Sequence, residues 1–312
     1  MRILITTLFL LTSFSTWACD ICGCQLGAYS FGILSQNPSH FIGFRYSQAQ
    51  FHASIDNEVL ADEYSDDTYQ MVELMGRYMI NSKWYVTASL PYGINKMDGN
   101  SQQVSINGIG DPILLSYYNL FNTSSENFRK WNHSLLLGAG LKFPLGEYDA
   151  EDQDQIINRN FQLGSGSLDY LVASIYTVKY QNWGLNLEGS YKINSKNNLD
   201  YRIGNQFNAL AKVYYALIQP EFSLLPYVGM VYEQSAMHTE EGFKQINTGG
   251  KVTMGQIGLQ AYAGPVMLMG NYNMIVSQYF NTDSRSTITS DNRFQLGLVF
   301  NLSLGAKREM DL

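Results

Sequence analysis

Apolar and polar side chains alternate along most of this 312-residue chain. Between Leu185 and Asn194 the odd-numbered positions are apolar or glycine, and the even-numbered positions are all polar. Phe294 to Leu302 repeats the pattern, with only leucine and phenylalanine on one face. A period of two residues is typical of a β-strand that has one apolar and one polar face. The sequence therefore predicts a protein built from strands.

Twelve segments carry this alternation. We predict strands at 41–52, 67–80, 84–96, 108–121, 132–145, 165–180, 183–194, 203–217, 222–236, 248–261, 265–278 and 291–304. Long polar connections follow the odd-numbered strands, at 53–66, 97–107, 146–164, 195–202, 237–247 and 279–290. The connections after the even-numbered strands are mostly short. One end of the fold therefore carries the long loops, and the other carries the turns.

This alternation of loop length favours a membrane barrel. Bacterial outer-membrane barrels have an even number of strands, short periplasmic turns and long outer loops. A soluble lipocalin-like barrel or sandwich would turn its apolar face inward, and this chain is too long for one such core. The mean hydropathy of -0.16 excludes a bundle of transmembrane helices. We predict an all-β fold, a transmembrane antiparallel β-barrel of about 12 strands in the lipid of the bacterial outer membrane, with both termini periplasmic.

The sequence divides into four predicted parts. Residues 1–18 resemble a signal peptide, because Arg2 precedes an apolar stretch and Ala18 ends a small-residue cleavage site. The remaining parts are a cysteine-containing segment or plug at 19–40, the β-barrel at 41–304 and a C-terminal tail at 305–312.

Two further features indicate partners. In the last strand, Gln295, Gly297, Phe300 and Leu302 resemble the signal that the outer-membrane insertion machinery recognises. A net charge of -7 argues against nucleic acid, because no basic surface would neutralise the phosphates.

Ten charged residues fall on the polar face of the predicted strands, which faces the lumen. They are Arg45, Glu73, Arg77, Lys142, Asp169, Glu188, Lys192, Lys212, Glu233 and Arg293. In one interpretation they line a narrow polar pathway and select the solute. In the other they pair with one another and fill a closed lumen, since buried charges need partners. The sequence leaves both interpretations open.

Three thiols lie within six residues, at Cys19, Cys22 and Cys24. Such a cluster could hold a soft metal such as Cu(I) or Zn. Two of the thiols could instead form a disulfide in an oxidising compartment, or Cys19 could carry a lipid after signal cleavage. No other cofactor is predicted.

Catalytic signals are weak. A hydrolase on the barrel wall would need a nucleophilic serine beside a histidine. His133 and Ser134 are adjacent in sequence, so on a strand their side chains point to opposite faces. We predict that the protein is not an enzyme.

Several motifs resemble one family of outer-membrane channels, which is named after the meta-cleavage pathway of phenol degradation. They read Leu90-Pro91-Tyr92, Gly108-Ile109-Gly110-Asp111, Lys142-Phe143-Pro144-Leu145-Gly146-Glu147-Tyr148-Asp149 and Gly164-Ser165-Gly166-Ser167-Leu168-Asp169-Tyr170. The resemblance implies a β-barrel channel or transporter for small, hydrophobic or aromatic solutes. Two alternatives remain beside it: a metal-handling outer-membrane protein that uses the cysteine cluster, and a structural barrel with a plugged lumen.

Overall fold

The computed structural model describes residues 39–56, 63–100, 102–123, 130–152 and 155–302. Within these ranges the chain forms twelve long strands, which we number β1 to β12. Their bounds are His40–Ile55, Glu63–Met79, Trp84–Gly99, Gln103–Ile109 with Ile113–Asn122 (β4), Trp131–Lys142, Asp169–Tyr180, Trp183–Ile193, Gln206–Tyr215, Phe222–Ser235, Gly250–Ala263, Val266–Phe280, and Ser286–Ser290 with Arg293–Leu302 (β12). In the same ranges no helix is long and apolar enough to cross a membrane.

The strands close into an antiparallel barrel. Each strand pairs with the next one along the chain, and β12 returns to β1 with Leu298 opposite Phe44. β8 joins β9 through partners such as Leu210 and Val231. Closure leaves no unpaired edge within the ring. The predicted fold class and strand number are confirmed.

Two connections differ from the prediction. The chain at 97–107 was expected to be a long loop, but β3 continues to Gly99 and β4 begins at Gln103. Val104 and Ile106 are buried between exposed polar neighbours, so this stretch follows the strand period despite its polar composition. In the connection predicted at 279–290, Ser286–Ser290 pairs with β1 and forms the first part of β12.

β4 and β12 are each interrupted once, and both interruptions shift the alternation by one residue. In β4 the inward residues are even-numbered before the break and odd-numbered after it, as Ile106 and Leu115 show. Pro112 lies in this break, where the chain leaves the ladder, and proline has no N–H to donate. The break also turns the Asp111 side chain into a buried position.

The outer face carries an apolar band between aromatic side chains. Three tryptophans begin β3, β5 and β7 and pack against tyrosines of neighbouring strands, at the end with the short turns. These pairs are Trp84–Tyr118, Trp131–Tyr180 and Trp183–Tyr215, with ring centroids 4.8, 4.6 and 4.9 Å apart. Tyr92 and Tyr191 lie eight residues further along β3 and β7 and are exposed. Eight tilted strand residues span roughly 20 Å, which is close to the hydrocarbon thickness expected for such barrels.

Both ends of the described chain lie at the short-turn end of the barrel, where His40 is opposite Leu302. The periplasmic location of this end stays a prediction. The predicted signal peptide, the cysteine-containing segment up to residue 38 and the tail at 305–312 lie outside the described residues.

An arginine on the lipid face tests the assignment of faces. Leu298 points outward between Phe44 and Leu268. Leu298→Arg should lower the free energy of unfolding in lipid bilayers by about 2–4 kcal/mol, because hydrocarbon does not solvate the guanidinium. Thr287→Arg, on the exposed face of the outer part of the same strand, is the matched control. Equal losses in the two variants, measured by urea titration, would contradict the assignment.

Candidate functional site in the barrel interior

The barrel interior contains several clusters of buried apolar side chains. In the half with the short turns, one cluster includes Tyr85, Tyr117 and Leu136, and another includes Met75 and Met267. In the half with the long loops, a larger cluster is formed by Ala49, Phe51, Ala53, Tyr69, Met97, Val104, Ile106, Ile157, Phe161, Leu210, Val231, Val252, Met254, Phe280 and Ile288. Apolar side chains therefore line part of the interior in both halves of the barrel.

The ten charged residues predicted to face the lumen all lie inside the barrel wall. Nine of them are at most 6% exposed, and the side chain of Glu188 is 9% exposed. Arg45 pairs with Glu73, Glu188 with Lys212 at 3.4 Å, and Lys142 with Asp169 at 2.8 Å. These pairs fit the interpretation in which interior charges are neutralised. A role of these residues in solute selection stays a prediction.

The ion pair between Glu233 and Arg293 crosses the lumen. Its two oppositely charged atoms, Oε2 and Nη1, are 2.8 Å apart, although β9 and β12 are separated in the ring by β10 and β11. The Arg293 guanidinium also donates to the Ser290 hydroxyl and lies 5.3 Å from the centre of the Phe51 ring. The pair therefore narrows the interior beside the large apolar cluster.

The connection between β5 and β6 folds into the barrel mouth. Phe161 is completely buried and packs edge-on against Tyr69, with ring centroids 5.5 Å apart. Its carbonyl oxygen accepts a hydrogen bond of 2.9 Å from the Asn95 side chain on β3. Part of the connection predicted at 146–164 as an outer polar loop is thus an inward plug, which we call the inward loop (residues 143–152 and 155–168). Its apolar residues Ile157 and Phe161 explain the difference, because burial in the lumen removes them from water.

Lys142 fastens both ends of the inward loop. Its ammonium contacts Asp111 at 2.5 Å and Asp169 at 2.8 Å, and it donates to the Ser165 hydroxyl and the Ser167 carbonyl. We call these five residues the latch. The Asp111 carboxylate in turn accepts hydrogen bonds of 2.9 Å from the backbone N–H groups of Gly146 and Ser165. Two stretches of the loop are therefore tied to one carboxylate of the β4 break.

The sequence motifs meet at this latch. Asp111 ends the second motif, Lys142 begins the third and Asp169 lies in the fourth. Gly146 and Gly164 permit the close approach between loop ends, since a Cβ built on Gly164 would lie 2.3 Å from the Gly146 carbonyl oxygen. Sequence reasoning identified Lys142 and Asp169 but missed Asp111, Ser165 and Ser167. The signal for them was the motifs themselves, whose residues carry the resemblance to the channel family.

Arg77 and Lys192 are two further predicted site residues on the inner face of the barrel. Arg77 donates to the backbone carbonyl and hydroxyl of Ser39 and lies over the rings of Phe41 and Tyr85. Lys192 lies near the outer loops, as described below. Cys19, Cys22 and Cys24 lie outside the described residues, so their metal, disulfide and lipid alternatives stay predictions. Among the described residues, no group of three histidine, cysteine or acidic side chains could hold a metal ion.

The closed ring, the apolar band and the aromatic side chains that border it define a bacterial outer-membrane β-barrel. The chain belongs to the family described as "Putative MetA-pathway of phenol degradation", whose profile matches residues 43–294. This match confirms the resemblance drawn from the motifs.

Two solved structures are reported for comparison, and the first of them shares the fold. An outer membrane channel from Pseudomonas putida F1 is 17% identical, with a TM-score of 0.61 over 89% of this chain and 100% of its own. The β domain of the Bordetella autotransporter BrkA is 11% identical, with a TM-score of 0.46 over 85% of this chain and 100% of its own. No curated protein matches the sequence.

Removal of the Lys142 charge should release the inward loop. Lys142→Met leaves two carboxylates buried without their cation, a change that costs about 3–5 kcal/mol in buried ion pairs. We expect trypsin to cleave at Arg159 in folded barrels of this variant, and the free energy of unfolding to fall.

Lys196→Met provides the matched control. Lys196 pairs with Asp200 at 2.8 Å, but both side chains are more than half exposed, so its loss should cost about 0–1 kcal/mol. Equal protection of Arg159 in both variants would show that the latch does not hold the loop.

Proposed function

We propose that this protein is an outer-membrane channel for small solutes that are hydrophobic or aromatic, and that the inward loop closes it. The observation that carries the proposal is the inward loop, which fills the mouth of the barrel with Phe161 and is held there by the latch. The family name and the description of the Pseudomonas putida F1 protein as an outer membrane channel support it.

The interior surfaces favour apolar solutes. On the plug side a solute meets side chains such as Phe51, Tyr69 and Met254, and on the turn side it meets Tyr117 and Met75. A hydrated ion would lose water against these surfaces at high cost, whereas an apolar molecule gains from the contact. The paired charges between the clusters orient polar groups of the solute without leaving an uncompensated charge in its path.

The structural-barrel alternative rests on a specific observation, which is the dense packing of Phe161 in the outer half of the lumen. It predicts a barrel that never conducts. The metal-handling alternative rests on Cys19, Cys22 and Cys24, which lie outside the described residues. We infer further that the protein is not an enzyme and that the insertion machinery recognises its last strand through Gln295, Gly297, Phe300 and Leu302.

Truncation of the plug residue is the direct test of the channel. Phe161→Ala removes the ring that packs on Tyr69, so we expect larger and more frequent current steps in planar bilayers and faster uptake of an uncharged aromatic probe into liposomes. Phe143→Ala, at the start of the same loop but with its ring 36% exposed, is the control. Silent bilayers and unchanged uptake for both variants would favour the structural barrel.

A charge exchange inside the lumen tests the selectivity residues. Lys192 is 3% exposed and lies on the inner face of β7. In the Phe161→Ala background, Lys192→Gln should shift the reversal potential in a KCl gradient toward cations, because one positive charge leaves the pathway. Lys83→Gln, on an exposed turn, should leave the reversal potential unchanged. An identical reversal potential in the two variants would show that Lys192 does not act on the ions in the pathway.

A further inference from the structure

Three short strands cover the barrel mouth beside the inward loop. Tyr201–Arg202, from the β7–β8 connection, pairs with Thr239–Glu240 of the β9–β10 connection, which pairs with Phe243–Lys244. We call this three-stranded sheet, with residues 236–249 and 197–205 around it, the cap. The cap joins two long loops that follow different strands, so opening either loop breaks the pairing between Tyr201–Arg202 and Thr239–Glu240.

Arg159 attaches the inward loop to the cap. Its guanidinium lies 3.8 Å from the Glu240 carboxylate and 5.3 Å from the centre of the Tyr201 ring. It also donates a hydrogen bond of 3.3 Å to the Tyr148 carbonyl within the inward loop. The side chain is 15% exposed, so these contacts are largely shielded from solvent. Opening of the cap would therefore withdraw support from the plug.

His238 lies at the centre of the cap and is completely buried. Its Nδ1 is 2.7 Å from the Tyr201 hydroxyl, which belongs to the other loop. Its Nε2 is buried and has no hydrogen-bond partner. The backbone on either side is fixed, since the His238 N–H donates to Thr248 and its carbonyl accepts from Gln245. The imidazole thus joins the two loops through Nδ1, while its Nε2 has no hydrogen-bond partner in the closed cap.

Burial and a neighbouring positive charge oppose the protonation of His238. Lys192 on β7 is the charged group that acts on the ring most directly, and burial together with this ammonium lowers the pKa of His238 from 6.5 to about 3. The other charged side chains of the packed elements are Arg159 on the inward loop, Arg202 opposite Thr239, and Glu240. The cap also carries Asp200, Glu241 and Lys244, which are exposed. The Glu240 carboxylate pairs with Arg159 and is about half exposed, so it is not a hydrogen-bond partner of His238 Nε2.

The sign of the pH effect follows from linkage. In the closed cap His238 is neutral at every pH above about 3, while in an opened cap the exposed ring takes up a proton below its ordinary pKa of 6.5. Falling pH therefore favours the open form, by up to tenfold for each pH unit between these two values. At pH 7 and above, protonation of His238 does not favour the open cap, because the ring is mostly neutral in both forms.

We propose that His238 makes the barrel mouth acid-sensitive: protonation of its imidazole breaks the junction with Tyr201, releases the cap and, through Arg159, frees the inward loop. The regulation of conduction by acid rests on the proposed channel function, since the inward loop that is freed is the plug of that channel. The structural part, an acid-opened cap, stands without it.

Hydrogen exchange of the folded barrel in liposomes tests the cap directly. Between pH 7 and pH 5, after correction for the intrinsic exchange rate, the opening constant of amides in 197–205 and 237–247 should rise about 25-fold. Amides of the wall strands should not change. His238→Gln, which retains a group that can bond Tyr201, should abolish this dependence. His52→Gln, on the exposed outer face beside Asp66, should retain it.

Tyr201→Phe is a second variant in case His238→Gln perturbs folding. It removes the hydrogen bond but retains the buried imidazole, so the cap should open more at pH 7 while the pH dependence persists. No pH dependence in the natural protein, or the same dependence in His238→Gln, would overturn the proposal. Bilayer recordings at the same two pH values separate the two claims. A barrel that opens its cap in acid but never conducts would refute the channel and leave the switch standing.

Discussion

Backbone hydrogen bonding is the constraint on which the rest of this structure depends. Hydrocarbon offers no partner for an N–H or a carbonyl group, so strands that cross it must pair on both sides and close into a ring. Closure fixes which face of each strand meets lipid, and the outer face accordingly carries Leu, Val and Phe between aromatic residues such as Trp84 and Trp183. Every polar side chain of the opposite face is thereby confined to one interior, where charges need partners.

The interior satisfies this need in two ways. Neighbouring strands supply pairs such as Arg45 with Glu73, while Glu233 and Arg293 pair across two intervening strands. Lys142 differs from these pairs because its ammonium contacts two carboxylates, those of Asp111 and Asp169. Through the latch it also holds a loop, not only another strand. The same requirement that neutralises buried charge therefore positions the plug. The cap adds a buried base, His238, which stays neutral in mild acid only in the closed arrangement.

Much of the fold could be predicted from the sequence, because the strand period is local. The alternation in segments such as Leu185 to Asn194 predicts both the strand and its two faces. The same alternation of odd and even positions predicts that charged residues such as Lys192 point inward. The inward position of Phe161 could not be predicted in this way. It depends on contacts with Tyr69 and Asn95, which are more than 60 residues distant, and on no periodic pattern in the loop itself. The pairing of Glu233 with Arg293 could not be predicted from the order of the strands either, because it depends on the curvature of the closed ring.

The break in β4 has a consequence for how this chain tolerates insertions and deletions. Before Asp111 the residues that point inward are even-numbered, as Val104 and Ile106 show. After it they are odd-numbered, as Ile113 and Leu115 show. Loss of a single residue there would move one half of the strand onto the wrong face, exposing Ser105 and Asn107 to the lumen side and turning apolar neighbours outward. Changes in chain length are thus compatible with this barrel at its loop tips but not within residues 110–112, the break in β4 that contains Asp111 of the latch.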